Sequence, residues 1–104
     1  MKPDTTKPDA KTLEEKIRQH RARIGIIGMG YVGLPLALRF AEEGFPVTGF
    51  DIDEMKVKSL AAGKTYILHI QAERIQRTTR EGTLSATTDF ARLAQQDAII
   101  ICVP

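Results

Sequence analysis

The sequence predicts an α/β fold with a parallel sheet of strand order 3-2-1-4, and three observations carry that expectation. From Ile24 onward, short apolar segments alternate with longer ones whose apolar residues recur at helical spacing. The first apolar segment runs directly into a glycine-rich turn that opens a helix. The last, residues 98–103, is apolar at every position, which predicts burial on both faces. Strands that alternate with helices call for right-handed crossovers and hence a parallel sheet. With the glycine turn after the first strand, the order 3-2-1-4 is half of a doubly wound nucleotide-binding sheet plus the first strand of the next half. The chain stops on that strand, so the sheet is expected to be truncated after its fourth strand.

Taken in order, residues 1–11 hold two Lys-Pro pairs among polar residues, with almost nothing apolar to bury. Residues 1–22 are therefore expected to be a disordered or weakly helical leader, and residues 23–104 the folded domain. Within the leader, Thr12 is placed to cap a short helix over residues 13–21, with Glu15 as its capping-box partner. The basic residues Lys16, Arg18, Arg21 and Arg23 beside it read as a solvated face. The first strand is Ile24–Ile27. A helix over residues 34–43 follows the glycine turn, with Leu34, Ala37, Leu38 and Ala41 on one face and Gly44 as its cap. Pro35 falls early in that helix, where a missing N–H is tolerated.

The second strand, residues 46–50, ends on Asp51. Asp53 is a good N-cap for a helix through Met55, Val57, Leu60 and Ala61 that stops at Gly63. Residues 64–70 read as a loop, Ala72–Glu81 as a polar helix, and Leu84–Thr87 as a short strand. Thr88 or Asp89 caps one or two helical turns over residues 90–94, and residues 98–103 close the chain as the fourth strand.

The bulk properties bound the function. At 104 residues there is room for one small domain. A net charge of +2 is too weak to imply nucleic acid or an anionic membrane as partner. Cys102 is the only cysteine, so no disulfide forms within the chain, which fits a reducing compartment. The charged N-terminus is no secretory signal, and the longest apolar run is too short to span a bilayer. A cytoplasmic protein is expected.

The turn Gly28-Met-Gly-Tyr-Val-Gly33 meets the structural conditions of a dinucleotide fingerprint: a strand before it, a helix after it, and a second strand ending in an acid. Gly28 permits the tight turn, Gly30 lets a pyrophosphate approach the backbone, and Gly33 lets the helix pack on the strand. The N–H groups from Met29 through Tyr31 and Val32 to Gly33 have no intrahelical acceptors, and the helix dipole favours the phosphates' negative charge there. Asp51, 18 residues after Gly33, is placed to accept hydrogen bonds from the adenosine ribose. A 2′-phosphate would meet its carboxylate, so NAD is expected over NADP, with Lys56 partly offsetting the repulsion.

These residues resemble a particular family. The run Ile24-Gly-Ile-Ile-Gly-Met-Gly-Tyr-Val-Gly-Leu-Pro-Leu-Ala37 is similar to the start of the UDP-glucose/GDP-mannose dehydrogenase family, the nucleotide-sugar 6-dehydrogenases. Gly49-Phe-Asp-Ile-Asp53 with Lys56, Leu60-Ala-Ala-Gly63 and Cys102-Val-Pro104 agree with it. Tyr66-Ile-Leu-His-Ile70 and Ala86-Thr-Thr-Asp-Phe90 look most like the UDP-N-acetylglucosamine 6-dehydrogenase branch. The resemblance implies a Rossmann-type domain whose full-length relatives oxidise the sugar C6 alcohol to a carboxylate in two steps, reducing two NAD. It implies that the catalytic cysteine and its helpers lie in later domains, so this chain alone is expected to be inactive and to hold no catalytic or metal-binding residue. Cys102 is expected to be a core residue inside the fourth strand. The cofactor contacts it implies are Gly28, Met29, Gly30, Tyr31, Val32 and Gly33 for the pyrophosphate, Asp51 for the ribose, Lys56 near it, and Val103 beside the adenosine or its ribose. The implied partners are a nucleotide-sugar substrate, held through domains outside this chain, and a second copy in a full-length homo-oligomer. His69 is expected to have a structural or interface role. UDP-glucose or UDP-N-acetylmannosamine as substrate, and a non-catalytic NAD-binding module, stay open at this stage.

Overall fold

Strand-length apolar segments bury themselves only when helices cover the sheet they form, and that requirement shapes the chain. A computed structural model describes residues 10–103. In chain order the elements are α1 (Ala10–Arg18), β1 (Ile24–Ile27), α2 (Gly33–Glu42), β2 (Val47–Phe50), α3 (Glu54–Ala61), α4 (Ala72–Glu81), β3 (Leu84–Thr87), a 3₁₀ helix (Phe90–Gln95) and β4 (Ala98–Ile101). The strands form one parallel sheet in the order β3-β2-β1-β4, as the sequence predicts. Ile24 lies opposite Val47 on one side and Ala98 on the other, and Val47 lies opposite Leu84.

Side chains alternate across a strand, so this register sorts them onto two faces. Ile24, Ile26, Val47 and Leu84 face a core completed by Leu34, Ala37, Leu38 and Ala41 of α2, Leu60 of α3 and Ile75 of α4. The α2 residues recur at the three-and-four spacing of an amphipathic helix. Each buried leucine contributes about 1.5–3 kcal/mol of transfer free energy. On the opposite face, Phe50 packs against Phe90 of the 3₁₀ helix at 5.8 Å between ring centroids. Asp89 caps that helix by accepting from the Ala91 N–H at 3.1 Å.

One ion pair locks α2 to α4. The Glu42 carboxylate accepts two hydrogen bonds from Arg74, from Nε and Nη2, each 2.8 Å, and Arg77 approaches to 3.6 Å. The Arg74 hydrogen bonds hold the Glu42 carboxyl below the usual carboxylate range, against the opposing effect of its burial. A folded-state pKa below the unfolded one gives stability that is complete above the ordinary carboxylate pKa and is lost as pH falls through the lowered value. Glu42→Gln is expected to cost about 1 kcal/mol at neutral pH, discounted for the partly exposed arginine. That corresponds to a Tm lower by roughly 4–8 °C. The variant is also expected to show a shallower loss of Tm on acidification. Melting curves of both proteins between neutrality and acid check both effects.

Three expectations need correction. The first helix is Ala10–Arg18 and not 13–21, and Thr12 lies inside it. Its C-terminal end is set by His20, whose φ of +57° breaks the helical path while Arg21 and Ala22 donate back to the Lys16 carbonyl at 2.8 and 3.2 Å. The solvated face expected for the basic cluster is also incomplete. Lys16 Nζ lies 3.3 Å from Asp97 Oδ1, and the Arg23 N–H donates to Asp97 Oδ2 at 2.8 Å. Residues 1–9 of the expected leader, and Pro104, lie outside the described residues.

The fourth strand is the remaining correction. Burial on both faces is expected from its apolar run, yet Ile99 is 47% exposed and Ile101 67%. Ala98 and Ile100 pack on the α2-side core, whereas no described helix covers the other side of β4. The strand ends at Ile101, which leaves Cys102 just beyond it rather than inside the strand, half-buried and packed against the core as expected.

Candidate functional site

Tight turns leave little room for side chains, and the turn after β1 shows which glycines the chain needs for itself. Gly28 has φ +94°, and its N–H donates to the Phe50 carbonyl at 2.8 Å. A Cβ there would lie 2.6 Å from the Cys102 carbonyl oxygen. A Cβ at Gly33 would overlap the Gly28 carbonyl oxygen, so α2 starts in direct contact with the end of β1. Gly30 differs from both. Its φ is not left-handed, and a Cβ there would have no neighbour within 4 Å. Neither backbone conformation nor packing within the protein asks for glycine at position 30. What it leaves free is the space in front of the backbone.

That space faces unpaired donors. The N–H groups of Gly30, Tyr31, Val32 and Gly33 have no acceptor among the described residues, and the helical ladder begins with Leu34 N–H to Gly30 C=O at 3.0 Å. Such a run at the start of a ten-residue helix attracts anions. Met29 departs from expectation. Its N–H donates to Asp51 Oδ2 at 2.9 Å, and its side chain is fully buried beneath Gly49. Its amide is therefore engaged by Asp51 rather than free for phosphate, because the carboxylate at the end of β2 reaches across to the turn.

Asp51 is 9% exposed, and its Oδ1 accepts from the Asp53 N–H at 2.9 Å. Each carboxylate oxygen has a second lone pair, so capacity remains for hydroxyl donors. Lys56 Nζ stands 3.8 Å from Asp51 Oδ2 and 5.9 Å from the centroid of the Tyr66 ring. Asp53 caps α3, as expected, by accepting from the Met55 N–H at 2.9 Å.

Together these groups line a cavity of about 960 Å³ at the C-terminal edge of the sheet, between the ends of β1, β2 and β4. Gly28, Gly30, Tyr31, Val32, Asp51 and Lys56 line it, and so does Val103. Of the predicted site residues, Met29 and Gly33 do not. Cys102, expected in the core, lines it as well. His69 is exposed on the loop 64–70 and lies outside this cavity.

Sequence reasoning missed two residues here. Ile52 lines the cavity with 86% of its surface exposed, a flat apolar contact whose only sequence signal is its place between the two aspartates. Tyr66 donates its hydroxyl to the Met29 carbonyl. Burial, and then the carboxylates of Asp51 and Asp53, push the Tyr66 phenol well above its ordinary pKa, so it stays protonated and donates. The arrangement of free amides, an open position at Gly30, a buried acid and apolar walls fits a dinucleotide with its pyrophosphate over residues 30–33.

Comparison with known proteins agrees with this geometry. Residues 22–104 match the family model described as the NAD binding domain of the UDP-glucose/GDP-mannose dehydrogenase family. The chain is 34% identical over 82 residues to the UDP-N-acetyl-D-mannosamine dehydrogenase of Pyrococcus horikoshii, covering 78% of this chain and 20% of that protein. It is 40% identical over 82 residues to the UDP-glucose 6-dehydrogenase AglM of Haloferax volcanii, covering 78% of this chain and 19% of that protein. Among solved structures, a ternary complex of GDP-mannose dehydrogenase from Pseudomonas aeruginosa superposes with a TM-score of 0.75 at 36% identity, covering 79% of this chain and 19% of that one. The chain thus spans about a fifth of the length of these proteins.

Proposed function

Because the chain belongs to the UDP-glucose/GDP-mannose dehydrogenase family and forms its NAD-binding domain, we propose that it holds the oxidant for a nucleotide-sugar 6-dehydrogenase. The substrate of that enzyme is a UDP-N-acetyl-hexosamine, whose C6 alcohol is oxidised to the carboxylate with reduction of two NAD. The observation that carries the cofactor reading is Gly30, a glycine that nothing inside the protein requires, standing in front of unpaired amides. Bound NAD supplies a hydride acceptor, and the residues of this chain bind and orient it. The amides of Gly30, Tyr31, Val32 and Gly33 hold the pyrophosphate, Asp51 accepts from the ribose hydroxyls, and Ile52 and Val103 flank the adenosine.

The N-acetyl-hexosamine assignment rests on the Tyr66-Ile-Leu-His-Ile70 segment and on the similarity to the Pyrococcus UDP-N-acetyl-D-mannosamine dehydrogenase. The similarity to the Haloferax UDP-glucose 6-dehydrogenase favours UDP-glucose as the second reading. The proposal places the enzyme in the cytoplasm as a homo-oligomer. No described helix is long and apolar enough to cross a membrane.

Calorimetric titration of the chain tests the cofactor site. NAD is expected to bind at least about tenfold tighter than NADP, since the 2′-phosphate and Asp51 carry like charge. Tighter binding of NADP would overturn the ribose assignment. For the substrate, the measurement is NADH formation by the domain joined to the rest of its reading frame, with UDP-N-acetylglucosamine, UDP-N-acetylmannosamine and UDP-glucose in parallel. Fastest turnover of UDP-glucose would replace the N-acetyl-hexosamine reading, and a reading frame without a further cysteine-bearing domain would overturn the enzyme reading.

A further inference from the structure

Tyr66 sits 37 residues from the glycine turn in sequence, yet its hydroxyl closes on the turn's backbone. The Met29 peptide units are thereby held on both sides. Asp51 takes the N–H at 2.9 Å, and the Tyr66 hydroxyl donates to the C=O. The Met29 carbonyl belongs to the same peptide plane as the Gly30 N–H, because a peptide unit is planar. A hydroxyl that fixes the direction of that carbonyl therefore fixes the opposite direction for the first unpaired amide of the anion-binding run. Lys56 joins the arrangement, standing between the Asp51 carboxylate and the Tyr66 ring. The phenol is half-buried and lies on the loop 64–70, whose neighbouring Leu68 is 99% exposed. The loop thus turns one side chain inward, onto the turn, beside one that faces solvent.

We propose that Tyr66 is a positioning residue for the cofactor, aiming the Gly30 amide at the pyrophosphate by gripping the Met29 carbonyl from the loop 64–70. The inference rests on the reading of this cavity as the NAD site. It adds to that site a residue that need not touch the ligand. Without the hydroxyl, the Met29–Gly30 peptide plane is free to rotate, and the ligand must restore its direction on binding. Pre-organisation of this kind shows as affinity rather than as new contact.

The test is Tyr66→Phe, which keeps the ring and removes the hydroxyl. It is made in the full chain alongside Leu68→Ala as a control on the same loop. Loss of one hydrogen bond's worth of pre-organisation predicts NAD binding weakened about fivefold by calorimetry. In the ligand-free protein, the NMR shifts of the Met29 carbonyl carbon and the Gly30 amide nitrogen, the two ends of the gripped peptide plane, are expected to move, while the amides of Ile26 and Ile75 keep their exchange protection. Leu68→Ala is expected to change neither. Unchanged NAD affinity in Tyr66→Phe would overturn the inference. So would faster exchange at Ile26 and Ile75, which would make Tyr66 a general stabiliser of the fold. A wild-type chain that fails to bind NAD overturns the reading of the cavity, and the shifts of the Met29 carbonyl and Gly30 amide still decide whether the grip exists.

Discussion

Gly33→Ala is expected to lower the melting temperature by roughly 12–24 °C, since a Cβ there meets the tightest contact of any glycine in the chain. The added Cβ would overlap the carbonyl oxygen of Gly28, and neither side of that contact is free to yield. Gly28 is held by its N–H bond to Phe50 on β2 at 2.8 Å. The preceding residue, Ile27, accepts from the Cys102 N–H at 2.7 Å, which ties the same corner to the end of β4. On the other side, Leu34 and Leu38 anchor α2 in the core with no exposed surface. Relief therefore means pulling the helix off the sheet or bending the sheet, at a cost of at least about 3 kcal/mol. Gly82→Ala is the internal comparison. Gly82 has φ +80° with no neighbour within 4 Å of an added Cβ, so that substitution strains only the backbone, at about 1 kcal/mol. Thermal unfolding followed by circular dichroism separates the two. A Gly33→Ala protein that melts as close to wild type as Gly82→Ala does would sink the packing account of the third glycine.

The elements from Ile24 onward were legible because each has a local cause. The α2 periodicity, the Asp53 cap, the helix Ala72–Glu81 and the strand Leu84–Thr87 follow from residues within a few positions of one another. Sheet order followed too, since alternation of strands and helices with a glycine turn after the first strand leaves few topologies. What the sequence hid depends on residues far apart. Thr12 and Glu15 have the spacing of a capping box, but the helix begins at Ala10, ahead of both, and its far end is followed by the left-handed backbone of His20, whose ring stacks on Phe45 at 4.6 Å. The run of isoleucines in β4 signals two buried faces, and one of them is open because burial depends on what lies across the sheet.

At the site, sequence spacing located the acid and the glycines but not how they bond. Asp51 was expected to look outward to a ribose, and it also looks inward to the Met29 N–H, 22 residues away. Tyr66 carried a family signature in the sequence with no physical role attached. Its role emerged only once the loop was seen to return over the turn. Motif spacing reports where the chain turns, whereas the partners of a given amide or carbonyl are settled by tertiary approach.

Gly30→Val makes the opposite prediction to Gly33→Ala, and the pair divides the fingerprint into folding and binding. With nothing within 4 Å of a Cβ at position 30, a valine side chain has room, and the melting temperature is expected to stay within about 3 °C of wild type, as for a surface substitution. On the proposed function, the room it fills is the space through which the pyrophosphate reaches the amides of Gly30, Tyr31 and Val32. Holding the ligand off by the width of a side chain removes two or more hydrogen bonds to a charged group, each worth about 1.5–3 kcal/mol. NAD affinity is then expected to fall by more than about 100-fold, beyond detection by calorimetry at ordinary protein concentrations. A milder Gly30→Ala variant is expected to lie between, since one methyl group blocks less of the approach. If Gly30→Val binds NAD as the wild type does, the pyrophosphate does not lie over this turn. If it instead unfolds, position 30 is packed in a way the open space around it denies. Retained stability with lost affinity is the result that assigns this glycine to the ligand and leaves Gly28 and Gly33 to the fold.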